Sequence, residues 1–228
     1  MGKAAEIIEH DLRSALDNDR GSGQAMFTLA DALLDRATKE ESVESPRQLD
    51  EALQLLGRAL STELDVNSLL PYVYYDIARA QYAKGLYAEA MNSIDTAIAM
   101  KEDSPKYYKL WREAAEKVPL RDKADASCRL AAIYNHGAEN KMRSGQSSAA
   151  LDACWRSLET LVVAERCPGD VRVNQVIGTT MGRISQIVQE AGSKSKAIEF
   201  WKTVTQLESM KVLRDSANVE LQILSKPQ

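Results

Sequence analysis

Cysteine is scarce in this chain: among 228 residues there are three, Cys128, Cys154 and Cys167, and none forms a C-x-x-C pair. That argues against a zinc site and against a disulfide framework, and it fits a reducing compartment. Histidine is rarer still, with His10 and His136 alone. A nucleophile, histidine and acid arrangement then has few ways to assemble. His136 follows Cys128 by eight residues, a spacing that can share a helix face, but two more metal ligands would have to come from distant parts of the chain. Phosphate loops are missing too. Gly21-Ser-Gly23 follows no strand pattern, and Gly192-Ser-Lys lacks the upstream glycine of a P-loop. Both read as helix-end turns. The acidic pair Glu40-Glu41 reads as solvated loop rather than as paired general acid and base. The expectation is a protein that is not an enzyme, with no catalytic residue, no cofactor and no metal.

No excess of one charge stands out, since 29 Lys and Arg face 33 Asp and Glu for a net charge of −4, and the basic residues are scattered among acids. Nucleic-acid binding as a primary activity is disfavoured. There is no apolar run long enough for a membrane span and no charged-then-apolar signal at the start. The chain begins Met1-Gly2, but Glu6 stands where a myristoylation signal wants Ser or Thr. A soluble cytoplasmic protein is expected, with the nucleus left open.

The composition that remains favours helix. Six prolines and two phenylalanines accompany abundant Ala, Leu and Glu, 44% of the residues are hydrophobic, and no useful strand alternation exists. The chain is long enough to bury a substantial core. Its most ordered pattern runs from Tyr74 to Met100. Ala78 and Ala90 fall on opposite arms of a helical hairpin where small side chains let the axes approach, while Tyr74, Ile77, Ile94 and Ile98 supply apolar area around them. Burying one such large apolar side chain contributes roughly 1.5–3 kcal/mol. Gly85 sits where the first arm must end in a left-handed turn.

Ile77 and Ala78, then Gly85, Tyr87, Ala90, Ile94 and Ala97, resemble the tetratricopeptide repeat (TPR) family in their spacing. Three further copies follow the same pattern, as a solenoid requires if each repeat is to bury its apolar face on a neighbour. The first aligns Phe27 on Tyr75, with Leu29 and Ala30 at the places of Ile77 and Ala78, and a second arm from Leu49 to Leu60 carrying Ala52, Leu56 and Ala59. Its arms are out of step, so Ala37–Pro46 reads as an inserted charged loop. Another copy carries Tyr134, Gly137, Ala138, Gly145, Ala150, Cys154 and Leu158. The last has Met181, Ile184, Ser185, Gly192, Ala197, Trp201 and Val204, with Ser185 in place of alanine.

Helices are also expected outside the copies. Lys3–Asp17 carries Ala5, Ile8, Leu12 and Leu16 on one face, and Arg20-Gly-Ser-Gly marks a turn after it. Pro105–Val118 is amphipathic and places Trp111 where a repeat would want a small residue, so it reads as a packing helix that closes a first module. After the break at Val118-Pro119-Leu120, patterns of about twenty residues run from Asp122 to Gly145, Gln146 to Arg166 and Asp170 to Gly192, with Pro168-Gly169 a turn. Arg214–Lys226 would cover the last hairpin. The expected organisation is a capping helix over 1–20, a first TPR-like module over 21–118 and a second over 119–228.

The resemblance implies an all-α fold, a right-handed superhelix of antiparallel helix pairs with about ten to eleven helices, whose leading helices line a concave groove. On the first repeat, Phe27, Asp31 and Leu34 are then expected to face that groove, and on the second Tyr72, Tyr75, Arg79 and Tyr82. The third would present Asn135, Glu139, Met142 and Arg143. Aromatic rings offer contact area at modest entropy cost, and Arg79 could pair a partner's carboxylate bidentately. Many family members hold the carboxylate end of a chaperone tail with Lys, Asn and Arg. The matching places here are Phe27, Asp31, Asp76, Ala132 and His136, so that identity does not fit. The resemblance implies an adaptor or scaffold taking a peptide or helix of a partner protein. Two other readings stand beside it, a structural subunit using convex and end surfaces and a ligand-sensing repeat protein, and homo-oligomerisation is left open.

Overall fold

A computed structural model of the chain describes residues 2–19, 22–39, 45–62, 69–101, 104–165, 171–191, 194–205 and 211–225. Among these residues every regular element is an α-helix, eleven in all, and there is no strand. The chain divides into two compact units, residues 1–118 and 119–228.

The first unit holds α1 (Gly2–Asn18), α2 (Gly23–Lys39), α3 (Ser45–Leu60), α4 (Leu70–Ala83), α5 (Tyr87–Met100) and α6 (Pro105–Ala115). Each packs on the next in sequence, and α2 also touches α4 as α4 touches α6. One core lies where α2 and α3 meet, with Leu29, Ala30, Leu33, Leu34, Ala52 and Leu56 sealed from solvent. Around α5, Ala78, Ala90, Ile94, Ala97, Tyr107 and Trp111 are equally inaccessible. The small alanines of α4 and α5 stand where the notches of the pattern place them. Trp111 fills the space beyond, and its indole N–H donates to the buried Asp95 carboxylate at 3.0 Å.

The second unit holds α7 (Leu120–Arg143), α8 (Ser147–Glu165), α9 (Val171–Ala191), α10 (Lys194–Thr205) and α11 (Lys211–Ser225). The helices α7, α8 and α9 contact one another, and α9 meets both α10 and α11, which pack together. Its core gathers Ala138, Ala150, Cys154, Leu158, Ile184 and Trp201.

Two turns are built alike. Gly85 and Gly145 have φ of 77° and 75°, the left-handed region that favours glycine. At the first, the Gly85 and Leu86 amides donate to the Tyr82 and Gln81 carbonyls, each at 2.9 Å. At the second, Gly145 and Gln146 donate to Met142 and Lys141 at 2.9 and 2.8 Å. This is the paired closure of a Schellman motif, which satisfies the last carbonyls of a helix.

Several boundaries differ from the expected ones. The insertion expected at Ala37–Pro46 is shorter, because α2 runs through Lys39 and α3 begins at Ser45. Ala37 is buried, Arg36 and Lys39 suit the negative end of the α2 dipole, and Pro46 falls in the first turn of α3, where its missing N–H has no partner to lose. Residues 40–44 lie outside the described set, as do Arg20, Gly21, Pro168, Gly169 and Gly192. The packing helix ends at Ala115 rather than Val118, and Glu116 and Lys117 close it by donating to Arg112 and Ala114 carbonyls at 3.1 and 3.0 Å. Leu34, expected to face a groove, is fully buried. The reason is that α2 packs against α1, α3 and α4, so its apolar stripe is wider than one hairpin needs.

Candidate interaction surface on helices α2, α4 and α6

Residues three and four apart share a helix face, so Tyr72, Tyr75, Asp76 and Arg79 line one side of α4, and Asp31 and Asp35 one side of α2. Contact between these helices brings the two sets together. Arg79 is the hub. Its Nη1 donates to Asp31 Oδ1 at 2.8 Å and Asp76 Oδ1 at 2.9 Å, and its Nη2 to Asp35 Oδ1 at 2.6 Å. Lys39 Nζ donates to the other oxygen of Asp35 at 2.7 Å.

Burial divides these groups. The Arg79 and Asp76 side chains are 21% and 6% exposed, whereas Asp31 and Asp35 are 51% and 46% exposed. Loss of water raises the Asp76 pKa to about 6, against the lowering effect of the Arg79 hydrogen bond and with a further raise from the Asp31 charge. Burial also opposes the Arg79 charge, yet the hydrogen bonds it donates to Asp35, Asp76 and Asp31 prevail and its pKa is raised. Asp35 is likewise opposed by burial, but Lys39 and Arg79 hold its carboxyl below its usual pKa.

Beside the ionic cluster lies an aromatic one. The Tyr75 ring rests on Tyr107 of α6 with centroids 4.9 Å apart and planes tilted by 35°. Lys106 Nζ stands 4.6, 5.2 and 5.7 Å from the ring centres of Tyr75, Tyr72 and Tyr107. Lys101, at the end of α5, donates to Tyr72 Oη at 2.8 Å. Burial raises the Tyr75 phenol pKa, with Arg79 opposing and Asp76, Glu113 and Asp31 adding to the raise.

The expected groove residues are distributed as follows. Asp31, Tyr72, Tyr75 and Arg79 come together on this surface. Phe27 is half-buried against the α2 and α3 core, and Tyr82 packs edge-on against Tyr87 at 5.3 Å. Those of the other unit are α7 residues: Asn135 is buried with 1% exposure, Glu139 pairs with Arg183 at 3.5 Å, Met142 packs on that unit's core, and Arg143 is exposed. Arg79, expected to be offered to a partner, already carries three carboxylates of its own chain. Asp35, Asp76, Lys101, Lys106 and Tyr107 complete the surface and were not among the expected site residues. Asp35 had a signal, since it follows Asp31 by one helical turn. The lysines had none, because the rings of Tyr72 and Tyr75 that they meet lie on another helix, α4.

Elsewhere in the first unit a cavity of about 260 Å³ is lined by Arg13, Leu16, Leu29 and Glu51 among others. Its Arg13 guanidinium is engaged by Glu51 and by Glu9. Among the described residues no group of three His, Cys, Asp or Glu is placed to hold a metal, and no helix is long and apolar enough to cross a membrane. No protein-family model matches the chain, and no curated protein matches it.

Proposed function

We propose that this chain is a protein-protein interaction adaptor or scaffold of TPR-like build, whose helix pairs stack into a right-handed superhelix and whose α2, α4 and α6 face receives a peptide or helix of a partner protein. Contact of α2 with α4 and of α4 with α6 supports that build, since leading helices of successive pairs lie side by side in such an array. The observation that carries the reading is the surface itself: Tyr72 and Tyr75 half-buried, with the Asp31 and Asp35 carboxylates half in solvent beside them. Fixed rings give contact area without much loss of side-chain freedom, and a carboxylate oxygen can accept from more than one donor. Arg79 serves here as the organiser of the surface rather than as a clamp on a partner's carboxylate. The protein acts without catalysis and without a cofactor, in the cytoplasm.

A second reading, a structural subunit docked through an end surface, is favoured by one observation. On α11, Val219 and Ile223 lie one turn apart with 54% and 52% exposure.

Affinity capture with mass spectrometry from the source cells separates the two. The parent is compared with Tyr72→Leu, Tyr75→Leu and with Arg112→Glu, Glu116→Lys, which changes exposed residues at the end of α6 outside the tyrosine cluster, each variant checked by circular dichroism. Loss of one specific partner with the tyrosine variant alone is the expected result. Full retention by that variant, with loss on Val219→Asp, Ile223→Asp, would move the interface to α11 and overturn the proposal.

A further inference from the structure

The tyrosine cluster is a firm receptacle with a loosely held occupant. Tyr107 is fully buried, Tyr75 lies tilted against it at 4.9 Å, and Tyr72 is tied through its hydroxyl to Lys101 at 2.8 Å. The three rings are therefore placed before any ligand arrives, which lowers the entropic cost of binding. Lys106 is different. It is exposed, and among the described residues its ammonium makes no ion pair and no hydrogen bond; it contacts the three rings at 4.6 to 5.7 Å and acts on the Asp76 carboxyl through its charge. Such cation-π contacts are individually weak at exposed sites. Lys106 also stands in the first turn of α6, directly after Pro105, where the positive end of the helix dipole disfavours a cation. Holding its long side chain in one place costs rotamer freedom as well.

The surroundings favour positive charge in that position. Asp31, Asp76 and Glu113 all act on the Tyr75 hydroxyl, and Arg79 opposes them. Lys106 also acts on the Asp76 carboxyl, while Lys101 stands 4.9 Å from the Tyr72 ring centre and Arg79 holds the carboxylates; if Lys106 swings away, the rings and Asp76 lose one of the cations that face them, and a cation from elsewhere can take its place.

We propose that the receptacle of Tyr72, Tyr75 and Tyr107 is a cation-receiving site, that Lys106 is its stand-in, and that a lysine or arginine side chain of the docking partner takes its place. The identity of the cation's owner rests on the interaction reading above; the chemistry of the receptacle does not. A tethered lysine has a high effective concentration at the rings, so a free ammonium competes poorly with it. A partner segment succeeds because it brings further contacts, with the half-exposed Asp31 and Glu113, both of which act on Tyr75, at hand.

The test uses the full chain and two small probes of one shape, tetramethylammonium and neutral tert-butanol, with binding followed by NMR at the tyrosine rings. Tetramethylammonium should bind Lys106→Ala at least about fivefold more tightly than the parent, because the tethered competitor is gone. Lys106→Ala, Tyr75→Leu should lose that gain, and tert-butanol should leave the rings unmoved in every variant. Equal tetramethylammonium binding by parent and Lys106→Ala, or equal response to the neutral probe, overturns the receptacle and leaves the docking surface standing. Ammonium binding as expected, with partner capture indifferent to Tyr72→Leu, Tyr75→Leu, overturns the assignment of the cation to a partner instead.

Discussion

The hairpin of α4 and α5 in the first unit and that of α7 and α8 in the second share their scaffold and differ in their chemistry. Both close through a left-handed glycine, Gly85 or Gly145, with the same pair of backbone hydrogen bonds. Both place fully buried alanines at matching places, Ala78 and Ala90 in one, Ala138 and Ala150 in the other. Yet where α4 carries Tyr75, Asp76 and Arg79, the same register of α7 carries Asn135, His136 and Glu139. Arg79 is tied to three carboxylates, whereas Glu139 meets Arg183 at 3.5 Å near the surface. Close approach of two helices and a tight turn constrain only a few positions. The rest of the helix face is free to take a different role, which is why fold and function have to be argued separately.

Arginine and glutamate at this shared position should respond very differently to truncation. Arg79→Ala leaves the buried Asp76 without its cation and frees Asp31 and Asp35 to repel, at an expected cost of roughly 2–4 kcal/mol, scaled down from fully buried pairs because Arg79 retains some solvent contact. Glu139→Ala should cost about 0–1 kcal/mol, because its one partner Arg183 is half in solvent and screened. Urea unfolding followed by tryptophan fluorescence measures both, with Trp111 as the reporter in the first unit. Equal costs would mean that the Arg79 cluster does not hold α2 to α4.

Buried tryptophans sharpen the contrast by a smaller amount. Trp111 and Trp201 are both fully buried, but Trp111 donates to Asp95 while Trp201 Nε1 has no hydrogen-bond partner among the described residues. Replacing either by phenylalanine leaves a similar packing defect. Trp111→Phe should add about 1–3 kcal/mol to it, because the buried Asp95 carboxyl loses a donor. Thermal unfolding by circular dichroism gives the difference. If the two variants melt alike, the indole bond to Asp95 contributes nothing.

What could be read in the residues follows from how local each cause is. The spacing of apolar residues in Lys3–Asp17 or Arg214–Lys226 reports a helix within a few turns, and α1 and α11 lie there. Gly85 and Gly145 were readable for the same reason, since a left-handed turn at a helix end is a property of one residue and its neighbours. Arg79 was not. Its side chain was expected to face a partner, but Asp31 and Asp35 are far away in sequence, and only the contact of α2 with α4 brings them to it. Leu34 and Asn135 failed in the same way, because α2 packs on α1 and α4, and α7 on α9, besides the other arm of each hairpin. Lys106 lies in an amphipathic stretch that says helix and nothing more. Its place over Tyr72 and Tyr75 depends on how α6 meets α4.

The smallest expected effect concerns pH. Folding raises the Asp76 pKa from 3.8 to about 6, so the folded state favours the protonated acid. Stability from this group is therefore fully present below its unfolded pKa near 4, and it is lost as pH climbs through about 6. Asp35 shifts the opposite way, and its contribution fades only as pH falls below the usual carboxylate range, outside that window. Between pH 5 and 7 the parent should lose on the order of 1 kcal/mol relative to Asp76→Asn, which has no proton to release and keeps an acceptor for Arg79. The comparison has to be made as a difference between the two proteins at each pH, with Trp111 fluorescence as the readout, so that other titrating groups cancel. Parallel pH profiles would show that Arg79 compensates the buried carboxylate fully, and the surplus negative charge assigned to this surface would then have no basis.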